Sequence, residues 1–220
     1  MIITIDGPAG SGKSSVAKEL AERLNIYYLN TGLLYRAVGF VWLKSDPELK
    51  NINLINKNNL NFIKNIEYKY VDKNPQVFYE NKNITGELLN NSLSQAASLL
   101  SALPEIRQAL LDLQRNVAKK YDIVCEGRDC GSVIFPNADY KFYLTATLYV
   151  RAKRIFQDKN RKDNKLTLEK VKEELEVRDL RDQTRKVAPL IIPEQAIVVD
   201  NSSLNQEETL KLLLSLIKFN

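Results

Sequence analysis

Short apolar runs alternate with stretches of helical periodicity along most of the chain. A β-branched run at 2–5 is followed by a glycine-rich turn, and apolar residues then recur at helical spacing over 14–24. A second apolar run at 26–29 precedes another helical pattern over 32–44. Strands that alternate with helices favour parallel pairing, so this pattern predicts an α/β fold in three layers, with a central parallel sheet flanked by helices.

The same alternation continues in the second half of the chain. Further apolar runs predict strands at 123–125, 140–144 and 196–199, and two amphipathic stretches predict helices at 103–120 and 167–181. The run from 157 to 165 is almost wholly polar, which indicates a surface loop.

One segment departs from this pattern. From 65 to 85 apolar and polar residues alternate in short pieces separated by turn residues, which predicts a small antiparallel sheet inserted between helices. Two interpretations stay open: the insert helps to close over a substrate, or it is a solvent-facing excursion without catalytic residues.

The composition excludes several kinds of chemistry. The 220 residues carry 32 Lys and Arg against 27 Asp and Glu, a formal charge of +5, and no histidine. Histidine-dependent nucleophiles, general bases and zinc proteases are therefore excluded. Cys125 and Cys130 are too few for a zinc site, and we expect one reduced buried thiol and one loop thiol. With no signal-peptide pattern and no apolar run of about 20 residues, we expect a soluble cytoplasmic protein.

The motif that carries the chemistry is Gly7-Pro8-Ala9-Gly10-Ser11-Gly12-Lys13-Ser14, which matches G-x-x-x-x-G-K-[ST] between a predicted strand and a predicted helix. Its backbone N–H groups and the helix N-terminus form an anion cradle, which predicts nucleoside triphosphate binding. Lys13 would reach the β and γ phosphates, and Ser14 would hold Mg²⁺. Glu126, directly after the run at 123–125, is either the carboxylate that orients the magnesium or a solvated strand end.

The arginines are grouped, which suits polyphosphate ligands. Arg178, Arg181 and Arg185 fall within eight residues, and Arg151 and Arg154 are three positions apart. The planar guanidinium matches phosphate oxygens. The alternative is a salt-bridged helix face, because acidic residues interrupt the cluster. The same interruption argues against a nucleic-acid surface.

The chain resembles the bacterial cytidylate kinases. The matching stretches are Ile5-Asp6-Gly7-Pro8 through Ser14, Thr31-Gly32 with Tyr35-Arg36, Glu126-Gly127-Arg128-Asp129 with Gly131, Phe135-Pro136, and Arg178-Asp179 through Asp182, Arg185 and Ala188-Pro189. They extend from the first predicted strand to beyond the last charged helix, so the resemblance covers essentially the whole chain.

The resemblance implies two ligand sites. The ATP-binding residues would be Gly7, Pro8, Ala9, Gly10, Ser11, Gly12, Lys13, Ser14, Ser15, Arg151 and Arg154. The CMP-binding residues would be Thr31, Tyr35, Arg36, Ser98, Arg107, Arg128, Asp129, Arg178, Asp182 and Arg185. The residues acting on the transferred group would be Lys13, Arg128, Arg178 and Arg185.

Within the implied CMP site, each part of the nucleotide has its own partners. Arg36, Arg128 and Arg185 would grip the 5′-phosphate, and Arg178 and Asp182 would bind the ribose hydroxyls. Cytosine would be recognised by Ser98, Arg107 and Asp129.

The resemblance also implies how the chain is divided. We expect one P-loop kinase domain over 1–220, with its core at 1–62, 86–150 and 186–220. The monophosphate-binding insert would span about 63–86. A lid would span about 151–167 and include Arg161, followed by an arginine-bearing helix to 185. Two positions depart from the family pattern, since Asn30 and Glu126 stand where aspartate is common.

The implied reaction transfers the γ-phosphoryl group of MgATP to CMP or dCMP in line, without a protein general base. The acceptor phosphate is already largely ionised at neutral pH, since its second pKa is about 6. Two alternatives remain: a kinase for another small acceptor such as UMP, dTMP or shikimate, and an RNA-associated ATP-dependent binding module. We expect a monomer that binds neither nucleic acid nor membrane.

Overall fold

The computed structural model describes residues 1–89, 91–158 and 167–218. Its centre is a five-stranded sheet in the order β2-β6-β1-β7-β8, and every pair of neighbours is parallel. The strands are β1 (Ile2–Asp6), β2 (Tyr27–Asn30), β6 (Ile123–Glu126), β7 (Tyr140–Thr145) and β8 (Ile197–Asp200). They correspond to the five apolar runs of the sequence, so the predicted parallel sheet is confirmed.

Helices cover both faces of the sheet. They are α1 (Lys13–Arg23), α2 (Thr31–Ser45), α3 (Asn91–Leu100), α4 (Pro104–Ala118), α5 (Leu148–Phe156), α6 (Leu168–Thr184) and α7 (Gln206–Leu216). On one face Ile5 of β1 shares a core with Leu20 of α1 and Leu210 of α7. On the other face Cys125 of β6 packs with Val117 of α4. The three-layer arrangement predicted from the sequence is therefore confirmed.

The predicted insert is a three-stranded antiparallel sheet. Its strands are β3 (Ile66–Val71), β4 (Asn74–Tyr79) and β5 (Lys82–Asn83), in the order β3-β4-β5. Tyr68 and Tyr70 of β3 donate hydrogen bonds to the carbonyl oxygen of Tyr28, at 3.3 and 3.1 Å. These bonds attach the insert to β2 of the main sheet.

Several elements differ from the sequence-based expectation. Helix α3 was not predicted, and short 3₁₀ turns lie at Ile52–Leu54, Lys57–Asn59, Asn61–Asn65 and Thr85–Leu89. The segment that the prediction gave to the start of the lid belongs to α5. The rest of the lid at 159–166, with Arg161, lies outside the described residues, as does most of the predicted polar loop.

The two cysteines are both buried. Cys130 opens a π-helical turn (Cys130–Ile134) and is fully buried, so the expectation of a loop thiol is wrong. The physical reason is Asp6, whose carboxylate accepts the N–H groups of Cys130 and Gly131 at 2.8 and 2.7 Å and holds this turn against the sheet. The two thiols are free, with their sulfurs 3.2 Å apart.

Candidate active site

The glycine-rich turn connects β1 to α1 and forms an open loop of backbone N–H groups. The φ angles of Gly7, Gly10 and Gly12 are 145°, 76° and 87°, values that residues with a Cβ rarely adopt. A Cβ on Gly7 would overlap the carbonyl oxygen of Leu144 in β7. The loop conformation therefore depends on glycine, and it leaves the N-terminus of α1 facing an open cleft.

Lys13 lies inside this loop. Its side chain is buried, and Nζ donates to the carbonyl oxygen of Pro8 at 2.6 Å and to Ser11 Oγ at 3.2 Å. Burial, together with the positive charges of Arg128 and Arg178, lowers the pKa of Lys13 well below its usual value. Several cations thus lie close together at the loop, an arrangement that an anionic ligand would stabilise.

A second polar corner adjoins the loop at Ser14. Its hydroxyl donates to Glu126 Oε1 at 2.9 Å, and the hydroxyl of Tyr28 lies 3.2 Å from the same oxygen. Glu126 is only 5% exposed, so it is not a solvated strand end. No group of three His, Cys, Asp or Glu side chains that could hold a metal occurs in the described part of the chain. A hydroxyl and one carboxylate fit Mg²⁺, which usually completes its shell with phosphate oxygens and water.

The loop opens into a cleft of about 760 Å³ that reaches across the carboxyl edge of the sheet to α3 and α4. Most of the predicted ligand residues line it. They are Ala9, Gly10, Gly12, Lys13, Ser14, Ser15, Thr31, Tyr35, Arg36, Ser98, Arg107, Arg128, Asp129, Arg154, Arg178, Asp182 and Arg185. Four of the predicted residues are not in that lining: Gly7, Pro8, Ser11 and Arg151.

Arg151 has a clear place behind the loop. Its guanidinium is buried and donates to the carbonyl oxygens of Ala9 and Ala146 at 3.0 Å and to Asp179 at 2.6 Å. It therefore supports the loop from α5. Its direct contact with ATP stays a prediction.

Basic side chains surround two carboxylates of the cleft, Asp182 and Asp129. Arg128 Nε donates to Asp182 Oδ2 at 2.8 Å, and Arg185 lies 3.9 Å from Asp182 and 3.6 Å from Asp129. Burial raises the pKa of Asp182, but Arg128 and Arg178 outweigh it and hold that pKa below its usual value.

Arg178 has the least compensated charge in this group. Its Nε is buried without a hydrogen-bond partner among the described residues, and burial next to Arg128 lowers its pKa to about 10. The cluster is part salt-bridged helix face and part unpaired positive charge, and the unpaired part suits a phosphate.

The far end of the cleft holds a buried ion pair. Arg107 and Asp129 contact each other, and Arg107 also donates to the carbonyl oxygen of Ser101 at 2.9 Å. Its guanidinium lies 5.3 Å from the ring centroid of Tyr35. This end therefore offers a planar donor, an acceptor and an aromatic face.

Ser98 and Arg36 complete the walls. Ser98 Oγ accepts a hydrogen bond of 2.9 Å from Arg181 of α6, and Arg36 donates to the carbonyl oxygen of Leu88 at 3.0 Å. Arg154 lies at the loop side of the cleft and donates to Asn201 Oδ1 at 3.0 Å.

The sequence prediction gave no site role to four residues of this region, although Arg181 and Asp6 were named in the arginine group and in a matching stretch. Tyr28 and Arg181 hold predicted ligand residues in place, and Asp6 fixes the turn that directly follows Asp129. Buried Asn201 donates to the carbonyl oxygen of Ser11 at 3.0 Å. Asn201 directly follows β8, and polar residues after parallel strands gather at one edge of the sheet. That signal could have found it.

Asn30, one of the two departures from the family pattern, has a structural task. Its side chain caps α2 by accepting the N–H of Leu33 at 3.3 Å, while its own N–H donates to the hydroxyl of Tyr68 at 3.0 Å. It joins β2, α2 and the inserted sheet, and an amide is sufficient for that.

A phosphate-binding loop at the carboxyl edge of a parallel sheet, facing an arginine-lined end of the same cleft, defines the class of P-loop kinases for small substrates. The family model described as cytidylate kinase matches residues 3–219. The chain belongs to the cytidylate kinase family.

Curated cytidylate kinases are similar in sequence to this chain along its whole length. The cytidylate kinase of Chlamydia caviae is 40% identical over 221 residues, covering 100% of this chain and 99% of that protein. The cytidylate kinase of Bdellovibrio bacteriovorus is 39% identical over 219 residues, covering 99% and 98%.

Solved structures share the fold at low identity. An uncharacterized protein from Eubacterium ventriosum has a TM-score of 0.55 at 14% identity, with 99% and 98% of the two chains covered. Shikimate kinase from Bacteroides thetaiotaomicron has a TM-score of 0.50 at 12% identity, with 98% and 97% covered. At these identities the likeness shows the fold alone. No helix among the described residues is both long and apolar enough to cross a membrane.

Proposed function

We propose that the protein transfers the γ-phosphoryl group of MgATP to CMP or dCMP, giving ADP and CDP or dCDP. Membership of the cytidylate kinase family supports this reaction. The observation that carries the choice of acceptor is the buried Arg107–Asp129 pair, which lines the cleft and whose arginine comes from α4.

The donor triphosphate lies in the glycine-rich loop. Lys13 exchanges its contacts with Pro8 and Ser11 for the β and γ phosphates, and the N-terminus of α1 adds its partial positive charge. Ser14, with Glu126 acting directly or through water, would hold Mg²⁺, which would supply charge neutralisation on the transferring group. Arg154 covers the triphosphate, while Arg151 acts from behind the loop.

The acceptor phosphate lies among Arg36, Arg128 and Arg185. Its second pKa is about 6, so at neutral pH an oxygen is already ionised and can attack in line without a protein base. The work of the protein is positioning and charge stabilisation, in which Lys13 and Arg178 take part. The absence of histidine from the sequence agrees with such a mechanism.

Cytosine is recognised by complementary hydrogen bonds. Arg107 and Ser98 donate to its O2 and N3 acceptors, and Asp129 accepts from the 4-amino group. Uracil has an N–H at position 3 in place of the acceptor and a carbonyl at position 4 in place of the amino group. It would therefore leave buried polar groups unpaired. Tyr35 lies beside Arg107, and Thr31 lines the cleft next to Glu126. Arg178 and Asp182 bind the ribose.

The test is ADP production with MgATP and a panel of acceptors: CMP, dCMP, UMP, dTMP, AMP, GMP, shikimate, RNA and no acceptor. We expect turnover with CMP and dCMP at least about 100-fold above UMP, because a recognition site that loses its hydrogen-bond partners discriminates strongly. Equal turnover across the panel, or turnover without acceptor, would contradict the proposal. RNA-dependent turnover would instead favour the RNA-associated module.

We also propose that the enzyme is monomeric and cytoplasmic and that it acts without binding nucleic acid or a membrane.

A further inference from the structure

The corner beside the phosphate-binding loop contains a residue that the reaction scheme above does not use. Tyr28 lies on β2 with its ring in the same core as α1, and it is 7% exposed. Its hydroxyl is 3.2 Å from Glu126 Oε1, and Ser14 Oγ is 2.9 Å from the same oxygen. Two hydroxyl groups from different elements thus converge on one carboxylate oxygen.

We propose that Tyr28 is a positioning residue that fixes the Glu126 carboxylate against Ser14 and thereby orients the magnesium site. The proposal rests on the proposed function only in that Mg²⁺ and a nucleotide bind at this loop. It does not depend on which molecule accepts the phosphoryl group.

The direction of each hydrogen bond follows from the chemistry of the three groups. An ionised carboxylate only accepts, so both hydroxyls donate to Glu126. A phenol carries its proton at neutral pH, since its ordinary pKa is about 10, so Tyr28 donates to Glu126. Ser14 commits its single proton to Glu126, which leaves the lone pairs of Oγ for a metal ion.

Glu126 needs a second anchor because its side chain is long. A glutamate has more rotatable bonds than an aspartate, and one hydrogen bond from Ser14 leaves part of that freedom. Asn30, at the end of the neighbouring strand, is neutral and its side chain caps α2, so the negative charge next to Ser14 comes from Glu126. The phenol of Tyr28 supplies the anchor from the buried side.

The experiment compares ADP binding by calorimetry in excess Mg²⁺ and in EDTA. The dissociation constant in EDTA divided by the dissociation constant in Mg²⁺ measures how much the metal strengthens binding. For Tyr28→Phe, which removes only the hydroxyl, we expect this ratio to fall by about 10-fold while the constant in EDTA changes by less than about 2-fold. An unchanged ratio, or an equal loss with and without metal, would overturn the proposal.

Tyr70→Phe is the matched control. Like Tyr28→Phe, it removes one phenol hydroxyl. The hydroxyl of Tyr70 donates to the backbone carbonyl oxygen of Tyr28 at 3.1 Å and not to Glu126. Its ratio should equal that of the wild type, and a fall as large as that of Tyr28→Phe would overturn the proposal.

Glu126→Asp gives a second, independent test. The shorter side chain withdraws the carboxylate from Tyr28, so adding Tyr28→Phe to it should change the ratio by less than about 2-fold. Full additivity of the two substitutions would contradict the proposed coupling. These measurements contain no CMP, so a failure of the acceptor panel and a failure of this proposal are separate results.

Discussion

The guanidinium of Arg107 and the carboxylate of Asp129 form an ion pair in which both side chains are more than nine-tenths buried, with 7% and 5% exposed. Removing the two charges of a buried pair from water costs free energy, and removing only one partner then strongly destabilises the folded protein. Asp129 also lies 3.6 Å from Arg185, so one carboxylate offsets two cations.

Replacing Asp129 should therefore destabilise the free protein. For Asp129→Asn we expect the free energy of unfolding in urea to fall by about 3 kcal/mol, since Arg107 loses its charge partner and Arg185 keeps only Asp182. Asp112→Asn is the control, because Asp112 is exposed on the same helix as Arg107, and its effect should stay within about 0.5 kcal/mol. Equal effects of the two substitutions would show that the pair contributes nothing specific.

Arg181 should affect base selection without contacting the phosphates. It donates to Ser98 Oγ at 2.9 Å, which leaves the Ser98 proton free to donate to the base. We expect Arg181→Met to lower kcat/KM for CMP by about 5- to 30-fold, the equivalent of one or two kcal/mol, and to reduce the CMP over UMP preference. Arg23→Met, which removes an exposed arginine of α1, should leave both unchanged. An intact CMP over UMP preference in Arg181→Met would argue against this role.

Gly7 provides a steric prediction. A methyl group there would overlap the Leu144 carbonyl oxygen, and φ is 145°. Gly7→Ala should lower the free energy of unfolding by at least about 2 kcal/mol and weaken ADP binding, because the loop must move. Gly86→Ala meets nothing within 4 Å and should change neither property by a measurable amount. If both variants melt at the wild-type temperature, the described loop conformation is not the one in solution.

Asp6 gives stability a pH dependence. Burial and the charge of Asp129 raise its pKa from 3.8 to about 6, despite the hydrogen bonds from Gly131 and Cys130. Between about pH 4 and 6 the folded state therefore binds more protons at Asp6 than the unfolded state does, so this contribution to stability is lost as pH rises. The loss is nearly complete by about pH 7, where it amounts to about 3 kcal/mol.

The measurement is the difference in the free energy of unfolding between wild type and Asp6→Asn, which cannot titrate. The free energy of unfolding of the wild type should fall relative to that of Asp6→Asn as pH rises from 4 to 6, and the difference should level off near pH 7. A difference that stays constant over this range would contradict the raised pKa of Asp6.

The part of the molecule that could be predicted from the sequence is the part determined by local pattern. The β1–loop–α1 unit follows from a β-branched run, glycines and helical periodicity within two dozen residues. The bond between Tyr28 and Glu126 joins residues 98 positions apart, and it depends on β2 pairing with β6, which no local pattern indicates.

Arg151 and α3 illustrate why the rest could not be predicted. The resemblance assigns Arg151 to the triphosphate, and no local pattern indicates that α5 packs against α6 and directs this guanidinium to Asp179 and the back of the loop. Helix α3 is rich in serine, asparagine and glutamine, and these polar residues obscure its apolar face, which packs against α2. The assignment of individual site residues to ATP and CMP stays a prediction.

The most direct test of the central claim follows the phosphorus nuclei of a mixture of MgATP and CMP by ³¹P NMR after the enzyme is added. The reaction proposed above predicts that the signals of CDP and ADP grow in equal amounts while those of CMP and ATP decrease, with no inorganic phosphate. Accumulation of inorganic phosphate with the CMP signal unchanged would contradict it.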